Sequence, residues 1–273
     1  MLGRYLEKVK KTAPLVHSIT NYVTANDVAN MILACGAKPV MADAPEEAAE
    51  ITALAQGVNL NLGTPSGSRI SAMLAAGKRA NELGHAVLLD PVGVGASHFR
   101  KEAAALLLRE IRFDVIRGNV SEVKALCGME DGSGGVDALE TDAVTEERLS
   151  EAVTFAKTAA ERLGSILVVT GAVDLVTDGV NCYVIRGGRA EMSSVTGTGC
   201  QLSGLITAFL AANSTDRLAA SVAAVCMMKI AGEIAWEHIR PEEGNATYGR
   251  RIIDAVYRMD GDTLERMANY EVR

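Results

Sequence analysis

Ala86-Val87-Leu88-Leu89-Asp90-Pro91 is the stretch on which the fold of this chain turns. Four apolar residues run without a polar break and stop on an acid and a proline. A strand with one wet face alternates apolar and polar side chains, whereas a strand covered on both faces need not. The run therefore reads as a doubly covered strand, and the acid marks its end.

The same rhythm continues on either side. Upstream, Val58-Asn59-Leu60-Asn61-Leu62-Gly63-Thr64 reads as a strand closing in a Gly/Thr loop, followed by a helix over 66–83. Downstream come a helix over 98–110, a strand over Asp114–Asn119, a short helix through Val123–Leu126 and a core strand over Ser165–Gly171. Strands alternating with helices imply a parallel sheet with helices on both faces. The N-terminal third fits: a helix over 2–12 stopped near Pro14, an extended Leu15–Val23, a helix over 24–35 ended by Gly36, a short strand Lys38–Met41 and a helix opened by Pro45. Residues 128–142 are rich in Gly and acids and read as a surface excursion before a helix over 144–163. Asp174–Gly179 and Asn181–Ile185 read as a hairpin turning at Asp178-Gly179. From 200 onward the pattern is helical, over 200–212, 216–238, 247–258 and 261–269. The reading is one domain over 1–273.

Composition narrows the class. Of 273 residues 48% are hydrophobic but only 4% aromatic, which suits close helix-on-sheet packing. The formal net charge is -7 and no basic run occurs, so nucleic acid is not an expected partner. The five cysteines are scattered, with no C-x-x-C pair. That argues against a disulfide framework and points to a reducing, cytoplasmic setting. Residues 192–215 lack charge, but their first half is Ser, Thr and Gly, so no membrane span is expected there.

The chemistry gathers at a second stretch, Val195-Thr196-Gly197-Thr198-Gly199-Cys200, which leads into the apolar run 201–210. Glycines before a helix let several N–H groups converge, and the helix start adds free N–H groups and the positive end of its dipole. Such a junction binds anions, typically phosphate. Gly197, Thr198, Gly199 and Cys200 are the candidates for that role. Ligands of parallel α/β sheets lie beyond the carboxyl ends of the strands, where this chain repeatedly places polar residues: Asn61 and Thr64, Asp90, Arg117 and Asn119, and Thr170. Each alone is an ordinary turn residue; their joint placement is not. Two nucleotide signatures are missing. Gly77-Lys78-Arg79 lacks the hydroxyl of a phosphate-binding G-K-[ST], and the late glycine loop does not follow G-x-G-x-x-G. His17, His85, His98 and His238 show no metal spacing, and Met227, Met228 and Trp236 read as core or subunit contacts.

An ordered set of motifs resembles the hydroxyethylthiazole kinases of the ribokinase-like superfamily. The set comprises His17-Ser18-Ile19-Thr20-Asn21, Pro39-Val40-Met41, Asn61-Leu62-Gly63-Thr64, Leu89-Asp90-Pro91-Val92-Gly93, Arg117-Gly118-Asn119-Val120-Ser121-Glu122, Val169-Thr170-Gly171 with Asp174, and Thr196–Cys200. The resemblance spans about residues 12–260 and implies a three-layer, mostly parallel α/β fold. It further implies ATP-dependent phosphorylation of the hydroxyl of 4-methyl-5-(2-hydroxyethyl)thiazole, a thiamine salvage step.

By the same resemblance, Met41 and Gly197 contact the thiazole, with Asn21, Gly63 and Thr64 nearby. Arg117, Thr170 and Asn119 serve the nucleotide, and Asp90 and Glu122 position Mg²⁺ largely through water. The resemblance also implies a homotrimer with the thiazole site completed at a subunit boundary. Cys200 stands where related sugar and pyrimidine kinases carry Asp as a base. A helix N-terminus lowers a thiol's pKa, which would let Cys200 accept the hydroxyl proton; equally, a loose transition state hardly needs early deprotonation, and Cys200 would then only shape the loop. The alternatives are a nucleotide-dependent hydrate dehydratase of damaged nicotinamide cofactors, a hydroxymethylpyrimidine kinase, and a silent nucleotide-binding protein. Cys200 and Met41 argue for the thiazole.

Overall fold

The structure is a computed structural model that describes residues 1–129 and 144–273. The segment expected as a surface excursion, 128–142, lies almost wholly outside the described residues.

Nine strands form one sheet in the order β2-β1-β3-β4-β5-β6-β7-β8-β9. The strands are β1 (Leu15–Ile19), β2 (Lys38–Val40), β3 (Gly57–Asn61), β4 (Ala86–Asp90), β5 (Val115–Gly118), β6 (Ile166–Val169), β7 (Asp174–Thr177), β8 (Cys182–Ile185) and β9 (Tyr270–Val272). Strands β1 to β6 pair in parallel. The last three pair antiparallel, as the hairpin about Asp178-Gly179 requires, with β9 added outside β8. The mostly parallel α/β sheet is as expected. The β9 strand is not foreseen: three C-terminal residues, mostly exposed, carry no apolar pattern to announce an edge strand.

Helices cover both faces. One layer holds α1 (Gly3–Thr12), α2 (Ala25–Ala34), α8 (Thr198–Ala212), α9 (Arg217–Glu237), α10 (Asn245–Arg258) and α11 (Gly261–Met267). The other holds α3 (Pro45–Leu54), α4 (Gly67–Leu83), α5 (His98–Glu110), α6 (Val120–Leu126) and α7 (Leu149–Leu163). Strand side chains alternate between them: Leu88 faces the first layer, Val87 and Leu89 the second. That alternation explains why β4 is apolar up to its closing Asp90, since both of its faces are dry.

Helix α8 is uncharged and buried along most of its length, and packs against α1, α2, α9 and strands β1, β3 and β4. Leu205, Ile206, Phe209 and Leu210 are fully buried, and each such side chain contributes roughly 1.5–3 kcal/mol. The helix is thereby fixed through the middle of one layer, with its N-terminus aimed at the carboxyl rim of the sheet. Helix α7 begins five residues later than its apolar period suggested, after a turn at Glu146–Arg148. Among the described residues, α9 alone has the length and hydropathy to cross a membrane, and 78% of that window is buried inside the protein.

Candidate active site

Each strand end hands one polar group to the same place. Asn61 closes β3, Asp90 closes β4, and the two are register partners on neighbouring strands. Asp90 is fully buried. Its Oδ2 accepts from Asn61 Nδ2 at 2.7 Å and from Ser203 Oγ at 2.8 Å, the latter one turn into α8. Its Oδ1 is buried without a hydrogen-bond partner and lies 3.6 Å from Arg117 Nη1.

Arg117 comes from β5. Its Nη2 donates to Thr170 Oγ1 at 2.7 Å, just past β6, so the guanidinium spans two strand ends and faces the acid of a third. Burial works against the Arg117 charge, but Asp90 and Glu122 outweigh it and hold the guanidinium firmly protonated. Burial pushes Asp90 above the ordinary carboxylate range, and Arg117 pulls it part of the way back.

The glycines of the late loop now have separate reasons. Gly197 adopts φ +86° as the residue before α8, a left-handed backbone that suits glycine. Gly199 has no room for a side chain, because a Cβ there would lie 2.5 Å from Arg117 Nη1. The guanidinium therefore rests on the first turn of α8. At that turn the N–H groups of Thr198, Gly199 and Cys200 precede the first full helical bond. An anion seated there meets backbone donors and a fixed cation together.

Cys200 Sγ receives Asn21 Nδ2 and Asn61 Nδ2, each at 3.3 Å. Asn21 Nδ2 also donates to Asn61 Oδ1 at 3.0 Å, and Thr24 Oγ1 donates to Asn21 Oδ1 at 3.1 Å. Asn61 Oδ1 further accepts from Gly63 N at 2.9 Å. The structure thus brings Asn21, Gly63, Cys200 and Asp90 into one buried network. The expectation of an acidified thiol is not met. Burial raises the Cys200 pKa, and the Asp90 charge raises it further, against smaller opposing effects of Thr24, Arg117 and Asn61. The thiol is neutral near pH 7: the helix dipole acts on a group enclosed beside a carboxylate, and desolvation wins.

Met41 follows β2, half-buried against the apolar layer of α8. The adjoining Ala42 carbonyl accepts from His17 Nε2 at 2.7 Å, while His17 Nδ1 meets Thr52 Oγ1 at 2.8 Å. Burial holds His17 below the ordinary imidazole range. His17 is a pinned core histidine under the Met41 loop.

Asn119 caps α6. Its side chain accepts Glu122 N at 2.8 Å, and its own N–H donates to Glu122 Oε2 at 2.9 Å. This is a capping box, which engages the Asn119 side-chain oxygen at the helix start. Glu122 Oε1 accepts Gly93 N at 2.9 Å. Burial raises the Glu122 pKa while Arg117 lowers it. Among the described residues no three His, Cys, Asp or Glu side chains form a metal cage. A divalent cation would therefore rest on two carboxylates, water and its ligand, which is how Mg²⁺ is commonly held. The residues fit such an ion: Asp90 Oδ1 is a buried acceptor with nothing donating to it, and each Glu122 oxygen keeps a lone pair beyond its backbone bond.

Beside Arg117 and Thr170 opens a cavity of about 570 Å³, within the usual size of small-molecule sites. Its wall combines Arg117, Thr170 and Lys229 with the apolar Leu202, Met228 and Met192. Met228, read from the sequence as a core or subunit contact, is a buried core residue that also lies on this wall. Lys229 Nζ reaches Asp174 Oδ2 at 3.4 Å and the carbonyls of Ala172 and Gly187 at 3.2 and 3.1 Å. Asp174 Oδ1 accepts Gly171 N at 2.8 Å. Ser203, Lys229 and the linking role of Asn61 are absent from the sequence-based site, for no local pattern marks a residue that acts through a contact tens of positions or more away.

Comparisons with known proteins agree with this geometry. A model of the hydroxyethylthiazole kinase family matches residues 6–262. A hydroxyethylthiazole kinase from Clostridium acetobutylicum is 47% identical over 271 residues, covering 99% of both chains. The solved hydroxyethylthiazole kinase of Pyrococcus horikoshii OT3 superposes with a TM-score of 0.88 at 34% identity, covering 100% of this chain and 98% of that one. A ribokinase-like superfamily protein from Enterococcus faecalis V583 shares the fold alone, with a TM-score of 0.62 at 14% identity over 97% of this chain and 89% of its own. A family match across nearly the whole length, joined to a relative of 47% identity over 99% of both chains, places the chain in the hydroxyethylthiazole kinase family.

Proposed function

We propose that this chain, acting as one kinase domain, transfers the terminal phosphoryl group of ATP to the primary hydroxyl of 4-methyl-5-(2-hydroxyethyl)thiazole. The observation that carries this reading is Arg117 lying on the first turn of α8, between Thr170 and Asp90. Phosphoryl transfer needs alignment and charge neutralisation more than covalent help from the protein. A planar cation beside free helix N–H groups supplies both at the oxygens where charge collects.

In this reading the nucleotide occupies the 570 Å³ cavity. Arg117 and Thr170 hold its phosphates, and Leu202 and Met228 offer apolar surface to its base. The alcohol enters from the other side of the α8 start, among Met41, Asn21, Gly63, Thr64 and Gly197. Cys200, a neutral thiol, orients the hydroxyl and does not strip its proton in the ground state. A loose transition state releases that proton late, so an ionised base is not required. Asp90 and Glu122 would hold Mg²⁺, which when bound neutralises charge on the phosphate oxygens.

The acceptor side also supports assembly as a homotrimer with the site closed at a subunit boundary. Tyr22 and Val23 directly follow Asn21 and are 73% and 59% exposed, large apolar groups beside the buried Asn21 and Asn61. Light scattering on the purified chain should give three times the chain mass; a monomer that turns over normally would remove the trimer.

The decisive assay offers the protein ATP, Mg²⁺ and a panel of small alcohols. Hydroxyethylthiazole should yield its phosphate ester. Turnover of hydroxymethylpyrimidine, with none of the thiazole, would replace the substrate. Asp90→Asn should reduce kcat by about a thousandfold, and an unchanged rate would undo the site.

A further inference from the structure

Two helix starts on the acceptor side break a local rule. Helix α4 begins Ser66-Gly67-Ser68-Arg69 and α5 begins Ser97-His98-Phe99-Arg100. In both, Ser caps the helix by accepting the N–H three residues on, at 3.3 Å. That third position favours Glu, which reaches back to the cap and suits the positive end of the dipole. Helix α6 follows the rule with Asn119 and Glu122. Helices α4 and α5 have no acid in the first turn and carry Arg at that position. A cation there opposes the dipole, and departures of this kind concentrate where function requires them.

The guanidinium groups show what is gained. Arg100 Nη1 donates to Leu62 O at 2.5 Å and Val92 O at 2.7 Å, and its Nη2 donates to Gly63 O at 2.7 Å. Three carbonyls from two strand-end loops are held by one fork, and among the described residues no carboxylate pairs with it. Arg69 Nη1 donates to Thr64 O at 3.2 Å and Thr64 Oγ1 at 2.5 Å. Its Nε donates to Asp43 Oδ2 at 3.0 Å, two residues beyond Met41. Its guanidinium also lies 5.8 Å from the Tyr22 ring centroid, next to Asn21. Glu122 continues the series by taking Gly93 N.

Building on the acceptor site proposed above, we infer that Arg69 and Arg100 are positioning residues. Arg69 ties the Met41–Asp43 loop to Thr64, and Arg100 ties Leu62-Gly63 to the loop that follows Asp90. Together they set the distance between the bound alcohol and the carboxylate that serves the metal. Arg100 does this through backbone carbonyls and Arg69 through the Asp43 carboxylate and both oxygens of Thr64; Lys, with a single point of charge, cannot replace a planar fork in either place. The ATP side lies beyond their reach.

The test compares wild type, Arg100→Lys and Arg69→Lys by steady-state kinetics and by hydrogen exchange of the substrate-free protein. Arg100→Lys should raise KM for the alcohol about tenfold and lower kcat about tenfold, because a loop shift of an ångström is costly in rate. Arg69→Lys should raise the same KM with kcat within about twofold, since it holds binding loops only. KM for ATP should stay within about twofold in both. Amides of 62–64 and 91–93 should exchange faster in Arg100→Lys while those of α9 are unchanged. Unaltered exchange in those loops, or losses of alcohol and ATP binding that rise together with a fall in Tm, overturns the inference. Exchange needs no substrate, so a wild type inactive on hydroxyethylthiazole would overturn the proposed substrate and leave this test standing. If Arg100→Lys fails to fold, Arg69→Lys alone decides by the same two readouts.

Discussion

The parallel and antiparallel parts of the sheet meet at β6 and are finished in different ways. On the parallel side, five strand ends converge on a crowded, buried rim. Asn21, Asn61 and Asp90 are at most 4% exposed and are joined side chain to side chain. On the antiparallel side, Asp174 at the start of β7 and the segment Gly187–Ala190 after β8 wall an open cavity. That wall is fastened from behind by α9: Lys229 bridges Asp174 and two carbonyls, and Glu233 accepts Gly188 N at 2.8 Å. Under the proposed assignment of the two sides, the difference means that the groups facing the alcohol are already fixed to one another in the folded chain, while those facing the nucleotide only frame a cavity. Preorganised donors are most valuable where charge develops.

The sharpest way to break this contrast is at the point shared by both sides. Gly199→Ala puts a methyl group where the Arg117 guanidinium lies. It is expected to lower kcat/KM for both substrates by about a hundredfold or more, from a displacement of an ångström or so. Comparable activity in steady-state assays would show that Arg117 does not need this seat.

Lys229→Met tests the framed side alone. It leaves Asp174 buried without its cation, and burial already raises the Asp174 pKa against the pull of Lys229. Breaking a buried pair costs roughly 3–5 kcal/mol when the remaining charge persists, and protonation of Asp174 should reduce that. KM for ATP is expected to rise about tenfold, with KM for the alcohol unchanged within about twofold. Equal effects on both substrates would erase the division between the two sides.

Cys200→Ala probes the crowded side more gently. A neutral thiol that orients the hydroxyl should cost about tenfold in kcat when removed, less than an obligatory base at the upper end of the usual 10²–10⁴ range. A loss of ten-thousandfold would restore Cys200 as the base.

The smallest effect concerns His17, beneath the Met41 loop. Its native pKa lies below the usual imidazole value because it is buried. As pH falls through about 6.5, the unfolded chain takes up a proton that the native chain does not, so stability declines with falling pH. His17→Gln should flatten the fall of Tm between pH 7 and 5.5 by part of one proton's contribution. An identical slope would mean that His17 titrates normally in the native state.

Much of the fold is visible in the sequence because burial on both faces leaves unbroken apolar runs such as Ala86–Leu89. Turn chemistry at Gly36, Pro45 and Asp178-Gly179 sets several of the boundaries between elements. Most of the candidate site is visible as well, since a parallel sheet puts all its strand ends on one rim and polar residues there stand out against the runs. Strand β9 is not visible: three residues at an exposed edge hydrogen-bond to β8 without needing any pattern of their own.

What the sequence by itself determined is the layered parallel architecture and the identity of the rim residues, because both follow from periodicity along the chain. Only the tertiary structure decided the protonation of Cys200, which depends on the carboxylate of Asp90 and on the exclusion of water. The same holds for the Ser203–Asp90 bond, 113 residues apart in sequence, and for the two arginines that leave their own helix starts to hold neighbouring loops. The physical reason is range: propensity and pattern act within a few residues, whereas desolvation and side-chain reach act through space.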